Sequence, residues 1–371
     1  MSNININIIT GDEGYGYELF NGFWSPIFSH YELFKNLGIK FRFLNKLSDK
    51  SLDADILFLS SRFFKRQNSE NYLDQSILKT INKIKEKKRV VWFDLRDSAG
   101  TTQFEVLPYV DFYIKKQIYN DLDVYKEDIY GGRMYSDYYN KYFNIQDSQI
   151  YKMKKLDIKF KDKIHVGWNI GVRNFKNIPP SRFMKYLSFF NEKYKLLGIK
   201  KKLFEFINPD KDRNINLIGS FSKNIDRNSV RFQRELFEKK INRLSLKKKT
   251  NLTAKVPIRE YYRNLYNAKV LISLYGWGEV CYKEFEASIF GCCFVMPNMS
   301  NIITWPNIYK PRVTYLPIKW DLSDINDVVS LLIDNPELRF KLVKNSQEQI
   351  NSVRNEIGYD YFFKLFKKII S

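Results

Sequence analysis

One stretch of the chain combines residue types and spacing suited to holding a ligand. It runs Leu271-Ile-Ser-Leu-Tyr-Gly-Trp-Gly-Glu279-Val-Cys-Tyr-Lys-Glu284-Phe-Glu286, then Ala287, Gly291 and an apolar run to Pro297. An apolar segment that ends in glycines and resumes with helical spacing reads as strand, loop, helix, strand. Gly276 and Gly278 allow close backbone approach to a ligand, and the first turn of the next helix offers free amides and a positive dipole end suited to phosphate. Glu284 and Glu286 are two apart, so on a helix they diverge by about 200° and at most one faces a given ligand. A carboxylate accepts two hydrogen bonds at fixed spacing and can hold the vicinal hydroxyls of a ribose. Glu286 is the stronger candidate, with Glu279 and Glu284 beside it. The competing reading is of helix-surface acids that favour an N-terminus electrostatically.

Phosphates need cations. Ser220 follows the strand-like Ile215 to Gly219, and the segment after it carries Arg227, Arg231 and Arg234 at i, i+4, i+7, one face of a helix. Arginine forms bidentate bonds to phosphate oxygens, so the functional reading is a diphosphate clamp and the bland one a solvated basic face. Lys255 is a further phosphate candidate. Proton-accepting groups are sought in two other loops, where Asp12 follows the first strand and Asp97 follows the strand Val90 to Phe93. Either carboxylate could act as general base on a hydroxyl, although loop acids more often cap turns. The two histidines, His30 and His165, suggest no triad. Asp53-Ala-Asp55, Asp121-Leu-Asp123 and Asp210-Lys-Asp212 match a short metal-binding pattern, but none follows an apolar strand, and no metal or obligatory cofactor is expected.

These residues need a scaffold that brings strand ends together. Asn3 to Ile9, Ile39 to Leu44, Asp55 to Ser60 and Val90 to Asp94 read as strands, with helical patterns at Pro26 to Leu37 and Asp74 to Lys87. The cadence restarts at Ile215, with helices at Ile258 to Asn267 and Tyr282 to Phe290 and strands at Val270 to Leu274 and Cys292 to Pro297. Strands alternating with helices imply parallel α/β sheets, here two in series, joined by a linker near 172–200 that contains Pro179 and Pro180. Phe362, Leu365, Phe366 and Ile369 form the apolar stripe of a last amphipathic helix, read chiefly as packing on a domain.

Composition narrows the class. The 371 residues, 44% hydrophobic and 16% aromatic, are enough for two folded domains. A net charge of +21 draws polyanions to the surface, but the lysine clusters are scattered, as on solvated faces. Three cysteines without metal-ligand spacing fit a reducing compartment, and no apolar run approaches the ~20 residues that span a bilayer. A cytoplasmic protein is expected, with an anionic membrane surface admitted as a peripheral partner.

The segment Gly276-Trp-Gly278 through Glu286-Ala287, Gly291 and the strand to Pro297 resembles the donor-binding signature of GT-B glycosyltransferases of the "glycosyl transferases group 1" type, in particular bacterial surface-polysaccharide members. The resemblance implies an α/β fold of two Rossmann-like domains facing a central cleft, with a C-terminal helix crossing back. It divides the chain into an acceptor-side domain over 1–185, a nucleotide-sugar-binding domain over 186–350 and a terminal helix over 351–371. It also makes Glu286 the ribose ligand. The family's usual first acid lies eight positions earlier, where this chain has Gly278, so Glu279 or Glu284 would have to substitute. The implied activity is transfer of a sugar from a UDP- or GDP-linked donor to a hydroxyl of a glycan or lipid-linked acceptor, with no specific nucleic acid as partner. Two alternatives stand beside it. One is a basic nucleic-acid-binding protein, suggested by the charge and by the aromatics of Tyr135 to Tyr142; the other is a GT-B protein that binds glycans without turnover.

Overall fold

A computed structural model of the chain describes residues 3–10, 23–24, 26–27, 30–64, 73–172, 205–222, 225–241, 250–253 and 256–371. Asp12, Lys255, the Gly-rich turn at 11–16 and the linker beyond residue 172 lie outside the described residues.

The first half builds a parallel sheet from β1 (Ile4–Ile9), β2 (Ile39–Leu44), β3 (Ile56–Ser60), β4 (Arg89–Asp94), β5 (Phe112–Lys115) and β7 (Ile164–Val166), in the order β2-β1-β3-β4-β5-β7. β3 is buried at every position and β4 at all but its first, as expected of strands covered on both faces. Helices α1 (Tyr31–Asn36) and α2 (Gln75–Lys85) make crossovers, and Asp74 caps α2 by accepting from the Ser76 amide.

The second half repeats the plan. β8 (Ile215–Ser220), β9 (Thr250–Thr253), β10 (Ala268–Ile272), β11 (Cys293–Pro297) and β13 (Leu316–Ile318) form a parallel sheet ordered β13-β11-β10-β8-β9. Read from its own first strand, this is the doubly wound 2-1-3-4-5 order, and the first five strands of the other sheet share it. In each, the order reverses between the first and third strands, which puts a ligand crevice at the carboxyl ends of β1 and β3 and again at those of β8 and β10. Helices α3 (Met134–Phe143), α4 (Asn228–Ile241), α5 (Ile258–Asn267), α6 (Tyr282–Ile289), α7 (Ile325–Asp334) and α8 (Pro336–Asn351) complete the layers.

Two features join the halves. β6 (Gln117–Tyr119) pairs antiparallel with β12 (Ile302–Thr304), so a strand that follows β5 of the first sheet is hydrogen-bonded to one that follows β11 of the second. The last helix, α9 (Glu356–Ile370), buries Phe362, Phe366 and Ile369 in the core that also holds Ile6, Ile8, Phe58 and Phe93 of the first sheet. Two Rossmann-like sheets with facing carboxyl ends and a terminal helix that crosses back are the GT-B arrangement. Tyr135 and Tyr139 of α3 are buried between the halves, where the Tyr135 ring packs on Tyr275 at 4.7 Å between centroids.

Candidate functional site

The first wall of the cleft is the loop after β4. Asp94 and Lys115 end neighbouring strands in register, and both side chains are fully buried. Lys115 Nζ lies 2.9 Å from Asp94 Oδ2 and donates to the Thr101 carbonyl at 3.0 Å, while the Tyr113 hydroxyl also donates to Asp94. Burial alone would raise the Asp94 pKa, but Lys115, Arg96 and the Tyr113 hydrogen bond hold it below its ordinary value. This buried pair ties the 94–102 loop to the ends of two strands.

Asp97 reaches solvent from that loop with 44% of its side chain exposed, and lies 3.1 Å from Lys116 Nζ and 3.3 Å from Arg62 Nη2. Crowding by protein would raise its pKa, yet Lys116 and Arg62 bring it down to about 2. A carboxylate held that low is a weak proton acceptor in this state, whatever its position.

At the seam, the loop after β10 docks on this wall. The buried Glu279 accepts from Ser98 Oγ at 2.7 Å, from the Ala99 amide at 3.0 Å and from Gln117 Nε2 at 2.8 Å, all groups of the first half. A Cβ on Gly278 would stand 1.7 Å from the Asp97 carbonyl oxygen, so glycine is needed there for two loop backbones to meet. Gly276 differs: nothing among the described residues lies within 4 Å of its Cβ position. Between them Trp277 is 50% exposed, with the Arg227 guanidinium 4.7 Å from its ring centroid.

The other wall carries the arginines. Helix α4 begins at Asn228, so Arg227 precedes it, and the three arginines do not form a solvated face. Arg227 and Arg234 are buried. Arg227 Nη1 is shared among the Tyr135 hydroxyl at 3.0 Å, the Trp277 carbonyl at 3.1 Å and the Gly276 carbonyl at 3.4 Å. Arg234 donates to the Ser222 carbonyl and, at 3.4 Å, to that of Tyr275, which links the loops after β8 and β10 across the switch point. Its Nε is buried without a partner among the described residues, and burial lowers its pKa. Arg231 turns back to the Ile225 carbonyl at 2.9 Å, and Ser220 is the last residue of β8.

The three glutamates do not converge. Glu279 faces the first half. Glu284 is buried, accepts from the Cys281 amide at 2.9 Å, from Tyr309 Oη at 3.2 Å and from Ser273 Oγ, and closes a capping box at the start of α6. Burial raises its pKa. Glu286 points to α5, where the Tyr261 and Tyr262 hydroxyls each donate to one carboxylate oxygen at 3.0 Å. The divergence of Glu284 and Glu286 is the one expected from helix geometry.

One cleft residue escapes a reading of the sequence. Arg133 is only 4% exposed, precedes α3 and follows Gly131 and Gly132, whose φ values of 63° and 69° are left-handed. A Cβ on Gly100 would stand 1.7 Å from the Gly132 carbonyl oxygen, so this turn packs tightly on the 94–102 loop. The signal in the sequence is a glycine pair directly before an arginine that opens a helix, a turn that forces the arginine into a set direction. A cavity of about 460 Å³ lined by Asn45, Lys46, Phe63, Phe64, Ser76 and Thr80 opens at the edge of the first sheet and shares no residue with the cleft.

No protein-family model and no curated protein matches the chain. Similar solved structures include an alpha-glucosyltransferase in complex with UDP and a 13-mer DNA containing a HMU base, at 11% identity and a TM-score of 0.47 over 100% of both chains. Others are the Anabaena HepE protein with UDP-glucose, at 9% identity and a TM-score of 0.45 over 99% of this chain and 100% of that one, and T4 phage BGT with its UDP-glucose substrate, at 13% and 0.42 over 100% of both. The expectation that excluded a specific nucleic-acid partner is corrected, because the first of these structures holds DNA. Among the described residues no helix is long and apolar enough to cross a membrane.

Proposed function

We propose that the chain is a glycosyltransferase that binds a nucleotide-sugar at the carboxyl ends of β8 and β10 and transfers the sugar to a hydroxyl presented from the first half of the molecule. The observation that carries this reading is the open space beside Gly276, at the crevice where the strand order of the second sheet reverses, next to the buried Arg227 and the exposed Trp277. A glycine with neither left-handed φ nor a neighbour to avoid among the described residues leaves room for a ligand.

In this reading the diphosphate lies against Arg227 and Arg234, whose charges stabilise the departing nucleotide, with Ser220 and Lys255 as further donors and Glu286 as ribose ligand. Its two oxygens accept the Tyr261 and Tyr262 hydroxyls, which fix the direction of the carboxylate. Catalysis is then positioning and charge stabilisation in a closed cleft that excludes water. The acceptor hydroxyl, on a glycan, a lipid-linked sugar or a nucleic acid, is reached from the Asp97 side, and peripheral contact with an anionic membrane face would bring a lipid-linked acceptor near. Asp12 and Asp97 are the base candidates, Asp97 only in a state where Lys116 and Arg62 are drawn away from it. Glu279 and Glu284 serve to assemble the cleft and to start α6.

The test is thermal stability against a panel of nucleoside diphosphates and UDP- and GDP-sugars, with and without EDTA, since a ligand that binds only the folded form raises Tm. A rise with one base that survives EDTA is expected. No rise with any member at high concentration overturns the reading.

A further inference from the structure

Arg133 belongs to the first half of the chain, yet the helix it opens packs against the second. Its Nη1 donates to the Gly131 carbonyl at 2.8 Å and its guanidinium lies 5.1 Å from the Tyr151 ring centroid, while its Nε is buried without a partner among the described residues. Two residues along, the Tyr135 hydroxyl accepts from Arg227 Nη1 at 3.0 Å, and Ser136 Oγ meets Ser229 Oγ at 3.0 Å. The turn bearing Arg133 therefore sits directly on the turn bearing Arg227.

Burial lowers the Arg133 pKa, and the neighbouring charge of Arg227 lowers it further, against an opposing effect of Tyr135 and Glu279. Neither arginine forms an ion pair among the described residues. Glu279 is occupied by its three donors. Asp147, near the same turn, accepts from the Ser229 amide at 2.7 Å and from Ser229 Oγ at 3.0 Å. Two buried guanidinium groups on adjoining turns, without a paired carboxylate among the described residues, are costly, and an anion that both could reach would relieve the desolvation of each.

We infer that Arg133 completes, from the first half, a diphosphate site whose other arginine is Arg227 of the second. The inference rests on the donor-site reading above and adds to it that both halves grip the anion. Arginine suits the task because its fork meets two phosphate oxygens at once. The left-handed Gly131 and Gly132, packed against Gly100, hold Arg133 at the seam, so the site is whole only when the cleft is closed.

The experiment uses the full chain and measures, by calorimetry, the affinity for the nucleoside, for its diphosphate and for inorganic pyrophosphate, in wild type, Arg133→Met and Arg133→Lys. The preference for nucleoside diphosphate over nucleoside should fall about tenfold or more in Arg133→Met, with nucleoside affinity unchanged, as expected for loss of charge-assisted hydrogen bonds. Pyrophosphate binding should weaken in parallel. If Arg133→Met does not fold, Arg133→Lys keeps charge and bulk and should still lose preference without loss of Tm. An unchanged preference in both variants, beside its loss in Arg227→Met, overturns the inference and leaves the anion to the second half alone. A loss confined to binding of a short oligonucleotide, with diphosphate preference intact, also overturns it and makes the anion an acceptor phosphate. Absence of nucleoside diphosphate binding to wild type sinks the donor-site reading itself, a result distinct from either.

Discussion

Ser98 Oγ donates to the Glu279 carboxylate at 2.7 Å, joining the loop after β4 to the loop after β10 across 181 positions of sequence. With the Ala99 amide and Gln117 Nε2 on the same carboxylate, one glutamate of the second half holds three groups of the first. Hydrogen bonds to a buried charge are among the stronger ones, so this cluster sets how firmly the halves close.

Glu279→Gln should therefore loosen the seam. An amide offers one acceptor oxygen and turns an NH₂ towards donors, so the change should cost about 2 kcal/mol or more. Chemical unfolding measures the loss, and small-angle scattering should report a larger radius of gyration. An unchanged Tm and radius would show that the β6–β12 pairing and α9 suffice.

The two glycines of the same loop should respond in opposite ways. Gly278→Ala places a methyl 1.7 Å from the Asp97 carbonyl and should destabilise the closed molecule. Gly276→Ala meets no described residue within 4 Å and should stay within about 0.5 kcal/mol of wild type. Nucleoside diphosphate affinity should nevertheless fall in Gly276→Ala, because the methyl enters the space assigned to the ligand. Thermal melts with and without nucleotide separate the two effects.

Acid should weaken the fold in two steps. Burial lowers the His165 pKa from 6.5 to about 4, with Lys368 adding to the shift and Asp162 opposing it. The unfolded chain binds this proton more readily, so stability falls as pH drops from about 6.5 to about 4. His165→Gln should flatten that part of the profile. Asp97 follows the carboxylate rule: its pKa is lowered from 3.8 to about 2, so its contribution is present above about 4 and is lost as pH falls towards 2. The stability difference between wild type and Asp97→Asn, measured by urea unfolding, should shrink over that lower window.

The return of α9 to the first sheet predicts a strong position effect along one helix. Phe366 is fully buried and packs on Phe34 at 4.6 Å between centroids. Phe366→Ala should cost about 3–5 kcal/mol. Lys364, paired with Asp360 in solvent, should lose less than about 1 kcal/mol on change to alanine. Equal effects would mean that the helix does not pack on the sheet.

Much of the architecture was legible along the chain. The buried runs of β3 and β4 and the stripe of Phe362, Phe366 and Ile369 state their surroundings through local period, because a strand or helix repeats every two or 3.6 residues whatever it later packs against. The same logic separated Glu284 from Glu286, and it set Arg227, Arg231 and Arg234 on one side of a helix, although Arg227 precedes that helix. It did not say whether that side meets water, and the structure buries two of the three against backbone carbonyls.

What faces what across the cleft was decided only in three dimensions. Glu279 looked like one of three neighbouring acids and proved to belong to Ser98, Ala99 and Gln117; Arg133 carried no motif and proved to open the helix whose Tyr135 and Ser136 meet Arg227 and Ser229. Such partners lie about a hundred positions or more apart, and no periodicity links residues at that distance. They are chosen when two separately patterned sheets bring their strand ends together, so that burial, donor satisfaction and charge are settled by packing rather than by neighbours in sequence.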